Sequence, residues 1–142
     1  MARATFPVVV HTLLFRGPRL LLLERTHTGF MDGLFCPPGG HQRHGESVTE
    51  AALRECAEEA GSTVTELDPV CVLPYRSGRH QGLNFVFASD QFAGEPYVAE
   101  PELFGALVWA EPEALPETTV PWLDDVLELR SSGGWFRELH WR

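Results

Sequence analysis

A chain of 142 residues fits one domain, and at that length roughly two thirds of the unfolded surface goes inside on folding, enough for a core without staples. Its hydrophobic fraction of 44% and charged fraction of 22% are those of an ordinary globular protein, and a formal net charge of −9 disfavours polyanionic partners such as DNA or RNA. The cations are all arginine: without lysine there is no Schiff base, P-loop lysine or kinase-type lysine, so a phosphate ester could be handled only with another cation intervening.

Phe6 to Phe15 is rich in Val, Leu and Phe, and Gly17-Pro18 separates it from Arg19 to Glu24, which predicts two strands joined by a tight turn. Thr26 to His44 is too dense in Gly and Pro for a helix. Ser47 with Glu50 forms a capping box, and Gly61 stands where a left-handed terminator belongs, so a helix is expected from Val48 to Ala60. Val70 to Tyr75 and Leu83 to Ser89 are expected strands around an Arg/Gly/His loop, and Ala106 to Ala110 is another. Glu111-Pro112 starts a short turn or helix. Val120 to Arg130 reads as a terminal helix with Trp122, Leu123, Val126 and Leu127 as its apolar stripe.

No repeat, charge block or low-complexity linker divides the chain, so residues 1–142 are expected to form a single domain. No stretch approaches the ~18 apolar residues of a membrane span, and the N-terminus lacks the order of a signal peptide; a cytoplasmic location is expected. Cys36, Cys56 and Cys71 lack C-x-x-C pairing and read as buried free thiols.

On a helix of 3.6 residues per turn, Thr49, Ala52, Leu53, Cys56 and Ala60 share a face that should pack on the core. Glu55, Glu58 and Glu59 fall at i, i+3 and i+4 on a different face, with small Ala51 beside them. Like charges so spaced cost a few tenths of a kcal/mol per pair. One reading is a solvated acidic face. The other is a site for a hard divalent cation, because converging carboxylates supply the oxygen ligands that magnesium takes. The helix alone leaves both open.

The spacing around this helix resembles the Nudix box, G-x5-E-x7-R-E-U-x-E-E-x-G-U, with U a bulky aliphatic residue. Gly40, Glu46, Arg54, Glu55, Glu58, Glu59 and Gly61 occupy its fixed positions. At roughly 6 to 7% usage per residue, a chance match in one register is on the order of 10⁻⁸. Two positions depart. Cys56 fills the first aliphatic place as a small hydrophobe, and Ser62 stands at the last, where Val64 would supply the apolar contact. Upstream, Phe35-Cys36-Pro37-Pro38-Gly39-Gly40 is similar to the family's W-x-L-P-G-G approach. The resemblance implies an α/β fold, an α/β/α sandwich with a mixed central sheet.

It also implies roles. Glu55, Glu58 and Glu59, with the carbonyl of Gly40, would hold Mg²⁺, with Mn²⁺ as a substitute. Arg54 would orient Glu55, and Glu46 would pair with Arg54 or sit at the metal edge. A carboxylate takes the proton of the attacking water: Glu59 is the first candidate and Glu100 the second, although Glu100 and Glu102 read equally as solvated loop charges. The implied reaction is magnesium-dependent hydrolysis of a diphosphate linkage in a nucleotide, with a (deoxy)nucleoside triphosphate preferred and ADP-ribose or a nucleotide sugar as the alternative. A Nudix-fold module that senses a nucleotide without cutting it is the alternative of another class; it would be expected to lose box glutamates, and this chain keeps them. Phe30 and Asp32 before the box, and Arg76 and Arg79 after it, could stack a base or hold a phosphate. His41 and His44 fall in the variable x5 segment and read as loop surface. The expected partner is a small-molecule nucleotide, with no nucleic-acid polymer and no membrane. Trp135, Phe136 and Trp141 are candidate contacts of a homodimer or a cover for the core.

Overall fold

The computed structural model describes residues 1–141. Strands β1 (Val8–Arg16) and β2 (Arg19–Arg25) form the hairpin announced by Gly17-Pro18, with Gly17 at φ 58 in its turn. Along its other edge β1 runs parallel to β7 (His80–Ser89), which pairs back antiparallel onto β6 (Asp68–Ser77). The β2 side of β1 is shared: its end holds β2, and its start holds the short β4 (Gly39–His41). β2 carries β3 (Phe35–Cys36) and β9 (Phe104–Ala110), completing a mixed seven-stranded sheet. A separate ladder joins β5 (Thr63–Val64) to β8 (Phe92–Ala93).

Alternation along β1 sets the layers. Val10 packs with Ala51, Ala52 and Phe87 under helix α1 (Val48–Ala60). The next residue, His11, points to the other face, where its ring stands 4.3 Å from that of Trp122 at the start of helix α2 (Trp122–Ser132). The helices therefore lie on opposite faces, an α/β/α sandwich. Leu13, Leu20, Leu21, Leu73 and Leu123 are fully buried between the layers, each worth roughly 2 kcal/mol of transfer from water.

Helix α1 spans the predicted residues. Ser47 accepts the N–H of Glu50, the Glu50 side chain accepts the N–H of Ser47, and Gly61 ends the helix at φ 64. Its buried face is rotated from the expected one: Thr49 is exposed and Leu53 half-buried, whereas Ala51, Glu55 and Glu59 are inside with Ala52, Cys56 and Ala60. The cause is β4, against which α1 packs alongside β1, and whose glycines let the helix roll toward them. Helix α2 begins at Trp122 rather than Val120, because Thr118 to Val120 are held in a parallel bridge with Phe35, and Leu129 joins its buried stripe. All three cysteines are free and buried. The C-terminal tail runs parallel along β6, placing Phe136 opposite Val72 and Leu139 opposite Tyr75; Leu139 is buried, while Trp135 and Phe136 are exposed. Among the described residues no helix is long and apolar enough to cross a membrane.

Candidate active site

The site is built on bare backbone. Gly39 and Gly40 lie on β4 opposite His11 and Val10. A methyl on Gly39 would overlap the Val10 carbonyl, and one on Gly40 would stand 2.6 Å from Oε1 of Glu55. Two missing side chains thus let the carboxylates of α1 descend onto the strand, where the Gly39 N–H donates to Oε1 of Glu59 at 2.8 Å. The two alanine variants are expected to differ. Gly39→Ala sets backbone against backbone and should cost more than ~2 kcal/mol of stability. Gly40→Ala should melt near wild type yet displace the Glu55 carboxylate and lower turnover by at least ~10-fold. Thermal melts and turnover run side by side check this contrast.

Arg54 ties the cluster together with only 17% of its side chain exposed. Its Nε and Nη2 clasp Glu46 at 3.0 and 2.7 Å, and Nη1 reaches Oε1 of Glu55 at 2.6 Å and Oε2 of Glu58 at 3.3 Å. Nη2 also donates to the His41 carbonyl at 3.0 Å. One guanidinium therefore serves three carboxylates. Its hydrogen bonds pull Glu46 down to about 2 and raise Arg54 itself further. Arg43 adds a looser contact to Glu58 at 3.6 Å. Glu59 makes no ion pair among the described residues.

Burial sets the electrostatics. Glu59 is 7% exposed, and desolvation pushes it up to about 8; the Gly39 N–H opposes this, while the charges of Glu55 and Glu100 add to it. Glu55 is also raised by burial, in spite of Arg54. Burial raises Glu100 too, helped by the charges of Glu58 and Glu102. Glu55 and Glu59 bring carboxylate oxygens from one end of α1 onto the glycine strand, Glu55 against Gly40 and Glu59 on the Gly39 N–H, and burial raises both. Such a donor set suits a hard divalent ion. Among the described residues no group of three or more Asp, Glu, His or Cys is already gathered closely enough to hold an ion, and Arg54 bridges Glu55 and Glu58.

The other candidates separate. Asp32 accepts the N–H groups of Thr28 and Gly29 at 3.0 Å each, and with the Thr28 hydroxyl these bonds hold it below the usual carboxylate range; it caps its own loop. That loop presents Phe30, 64% exposed, over Arg25, whose Nε donates to the Phe30 carbonyl. Arg76 and the exposed Arg79 sit at the tip of the β6–β7 hairpin, and His41 and His44 are exposed. Asp32, Arg76 and Arg79 share no ion pair with the Arg54 cluster among the described residues.

Sequence reasoning missed a second group of residues. His11 Nε2 bonds Asn84 Oδ1 at 3.0 Å, and Asn84 Nδ2 donates to the Leu73 carbonyl at 3.3 Å, an order that assigns the proton to Nε2. Burial drives the imidazole down to about 4, so it is neutral. The ring lies between Gly39 and Trp122. A lone histidine in an apolar strand gave no signal by itself; its parallel partner strand and α2 supply the context.

These elements define an α/β/α sandwich with an acidic loop–helix–loop site at one edge of its sheet. The NUDIX domain model matches residues 5–129, and the chain belongs to that family. It is 36% identical over 90 residues to an ADP-ribose pyrophosphatase of Methanocaldococcus jannaschii, an alignment covering 62% of this chain and 53% of that protein, about half the relative's length. It is 30% identical over 112 residues to an oxidized purine nucleoside triphosphate hydrolase of Danio rerio, covering 78% of this chain and 69% of the relative. A solved MutT NUDIX hydrolase from Burkholderia pseudomallei superposes with a TM-score of 0.83 at 27% identity, over 89% of this chain and 98% of that one.

Proposed function

We propose that the chain hydrolyses a diphosphate linkage in a nucleoside triphosphate with a divalent cation, Mg²⁺ or Mn²⁺, held by Glu55, Glu58, Glu59 and the carbonyl of Gly40. The observation that carries this reading is Glu59: a carboxyl group 7% exposed, seated on the Gly39 N–H, with the Glu55 and Glu100 charges acting on it and, among the described residues, no direct ion pair, Arg25 acting only from a distance. Gathering such charges out of water costs several kcal/mol unless a cation joins them. When bound, the ion neutralises phosphate oxygens and lowers the pKa of a water.

The protein's own groups do the rest. The Gly39 N–H holds Oε1 of Glu59, leaving Oε2 to accept the proton of the water that attacks phosphorus. Glu100 is the second candidate for that proton. Arg54, pinned by Glu46 and the His41 carbonyl, fixes Oε1 of Glu55 and so orients the carboxylate that would hold the ion. We assign the base to the aromatic wall of His11 and Trp122 beside Gly39, and to Phe30. Arg76 and Arg79 are candidates for the outer phosphates, and Asp32 contributes by shaping the loop of Phe30. The Danio rerio relative supports a triphosphate substrate. The Methanocaldococcus jannaschii relative supports ADP-ribose, the second reading, through an alignment that covers less of both chains.

The test is phosphate release from dGTP, its oxidised form, ATP and ADP-ribose, with and without Mg²⁺. Mg²⁺-dependent cleavage of a triphosphate is expected, lowered by at least ~100-fold in Glu58→Gln. Equal activity in that variant, or nucleotides bound in Mg²⁺ and left intact, would remove the reading.

A further inference from the structure

Residues Phe92 to Glu100 follow the end of α1 at every step. Phe92 and Ala93 pair with Val64 and Thr63. The hydroxyl of Ser62, fully buried, donates to the Gly94 carbonyl at 3.4 Å. Pro96 is buried, and Val98 packs on the core. The Tyr97 N–H then donates to the Ala60 carbonyl at 3.0 Å, and the Ala99 N–H to the Glu59 carbonyl at 3.1 Å. These two acceptors belong to the last turn of the helix, whose carbonyls have no partner within the helix. Glu100 comes next, near enough for its charge to act on Glu55 and Glu59, and its own carbonyl accepts the N–H groups of Leu103 and Phe104 at the start of β9.

One side chain in this track packs on the helix terminus while remaining largely in solvent. Tyr97 is 60% exposed, yet its ring edge stands where a Cβ on Gly61 would be. The ring thus lies on the helix terminus at Gly61, beside the backbone bonds that tie Tyr97 and Ala99 to Ala60 and Glu59.

We propose that Tyr97, seated on Gly61, is the positioning residue for Glu100: it holds the Gly94–Glu100 segment against the last turn of α1, so that the Glu100 carboxylate stays beside Glu59 during turnover. Ser62, the departure from the aliphatic residue at the end of the box, belongs to the same anchor, and Val64, 7% exposed in the core, supplies the apolar contact instead. The proposal rests on the reading of Glu100 as a working carboxylate, and the experiment separates the two.

Turnover is measured for wild type, Tyr97→Ala, Tyr97→Phe, Glu100→Gln and the Tyr97→Ala/Glu100→Gln double variant, on whichever of dGTP, its oxidised form and ADP-ribose wild type cleaves fastest. Tyr97→Ala is expected to lower kcat by about 10-fold with KM within about 2-fold and an unchanged melting temperature, a misplacement effect rather than a loss of fold. Tyr97→Phe keeps the ring and should restore kcat. In the Glu100→Gln background Tyr97→Ala should add nothing, because both changes remove one function. An unaltered kcat in Tyr97→Ala, or a loss that multiplies with that of Glu100→Gln, overturns the positioning role while leaving Glu100 in place. Wild-type turnover in Glu100→Gln overturns both.

Discussion

Glu59→Gln is expected to lower kcat by on the order of 10²–10⁴-fold, the range for removing a general base, and at the same time to stabilise the metal-free protein. The second half follows from the sign of the shift. Burial raises Glu59 from an ordinary 4.5 to about 8 in the fold, so the folded state binds the proton more tightly than the unfolded state does. The stability this contributes is fully present below pH 4.5 and is lost as pH climbs through the folded value. Glu55 and Glu100 shift in the same direction and add to the slope, whereas Glu46, drawn down to about 2 by Arg54, acts only below pH 4.5. In chelator, wild type should therefore melt progressively lower between pH 5 and 8, and Glu59→Gln should flatten much of that decline. Above pH 7 the cost of holding this carboxyl in the fold is on the order of 3–5 kcal/mol, several degrees of melting temperature for a domain of this size. Mg²⁺ should reverse the wild-type slope. Parallel slopes for the two proteins would show that Glu59 is not the strained carboxylate.

Arg54→Ala is the second large effect. Its loss removes the nearest guanidinium from Glu46, Glu55 and Glu58 at once. Breaking a fully buried pair costs about 3–5 kcal/mol, and because this cluster borders solvent at Glu58 about 2 kcal/mol is expected. Turnover should fall by about 10- to 100-fold, as is usual when the partner that orients a ligand is removed. Mg²⁺ should return part of the lost stability, since the freed carboxylates then share a cation. Arg54→Lys should recover little, because an ammonium cannot fork to Glu46 while reaching Glu55. Melting curves with and without Mg²⁺ decide this: a variant that melts like wild type in both conditions removes Arg54 from the centre of the account.

Much of this site was legible in the sequence because its determinants are local. Ser47, Glu50 and Gly61 define α1 to the residue, since caps act through neighbouring backbone groups. The i, i+3, i+4 spacing then carries Glu55, Glu58 and Glu59 to one end of the helix whatever the rest of the chain does. The long segment before α1 was less legible. β3 and β4 are two and three residues long, paired only through tertiary contacts with β2 and β1, and β5 and β8 are equally short. Periodicity has nothing to register over such lengths. The rotated face of α1 has the same origin, because the space that accepts Glu55 and Glu59 exists only once Gly40 lies opposite Val10. Asp32, a substrate-contact candidate by its place before the box, has its carboxylate engaged as a cap of its own loop, which residue type and position do not announce. His11, Asn84 and Trp122 come from three elements far apart in sequence, so no local pattern joins them.

The central claim is that the carboxylates of α1 share one divalent cation. A titration of Mn²⁺ followed by electron paramagnetic resonance tests it without reference to any substrate. Wild type is expected to bind the ion, with affinity lowered at least ~10-fold in each of Glu55→Gln, Glu58→Gln and Glu59→Gln. Binding unchanged in all three variants, or absent from wild type at millimolar Mn²⁺, would contradict the account.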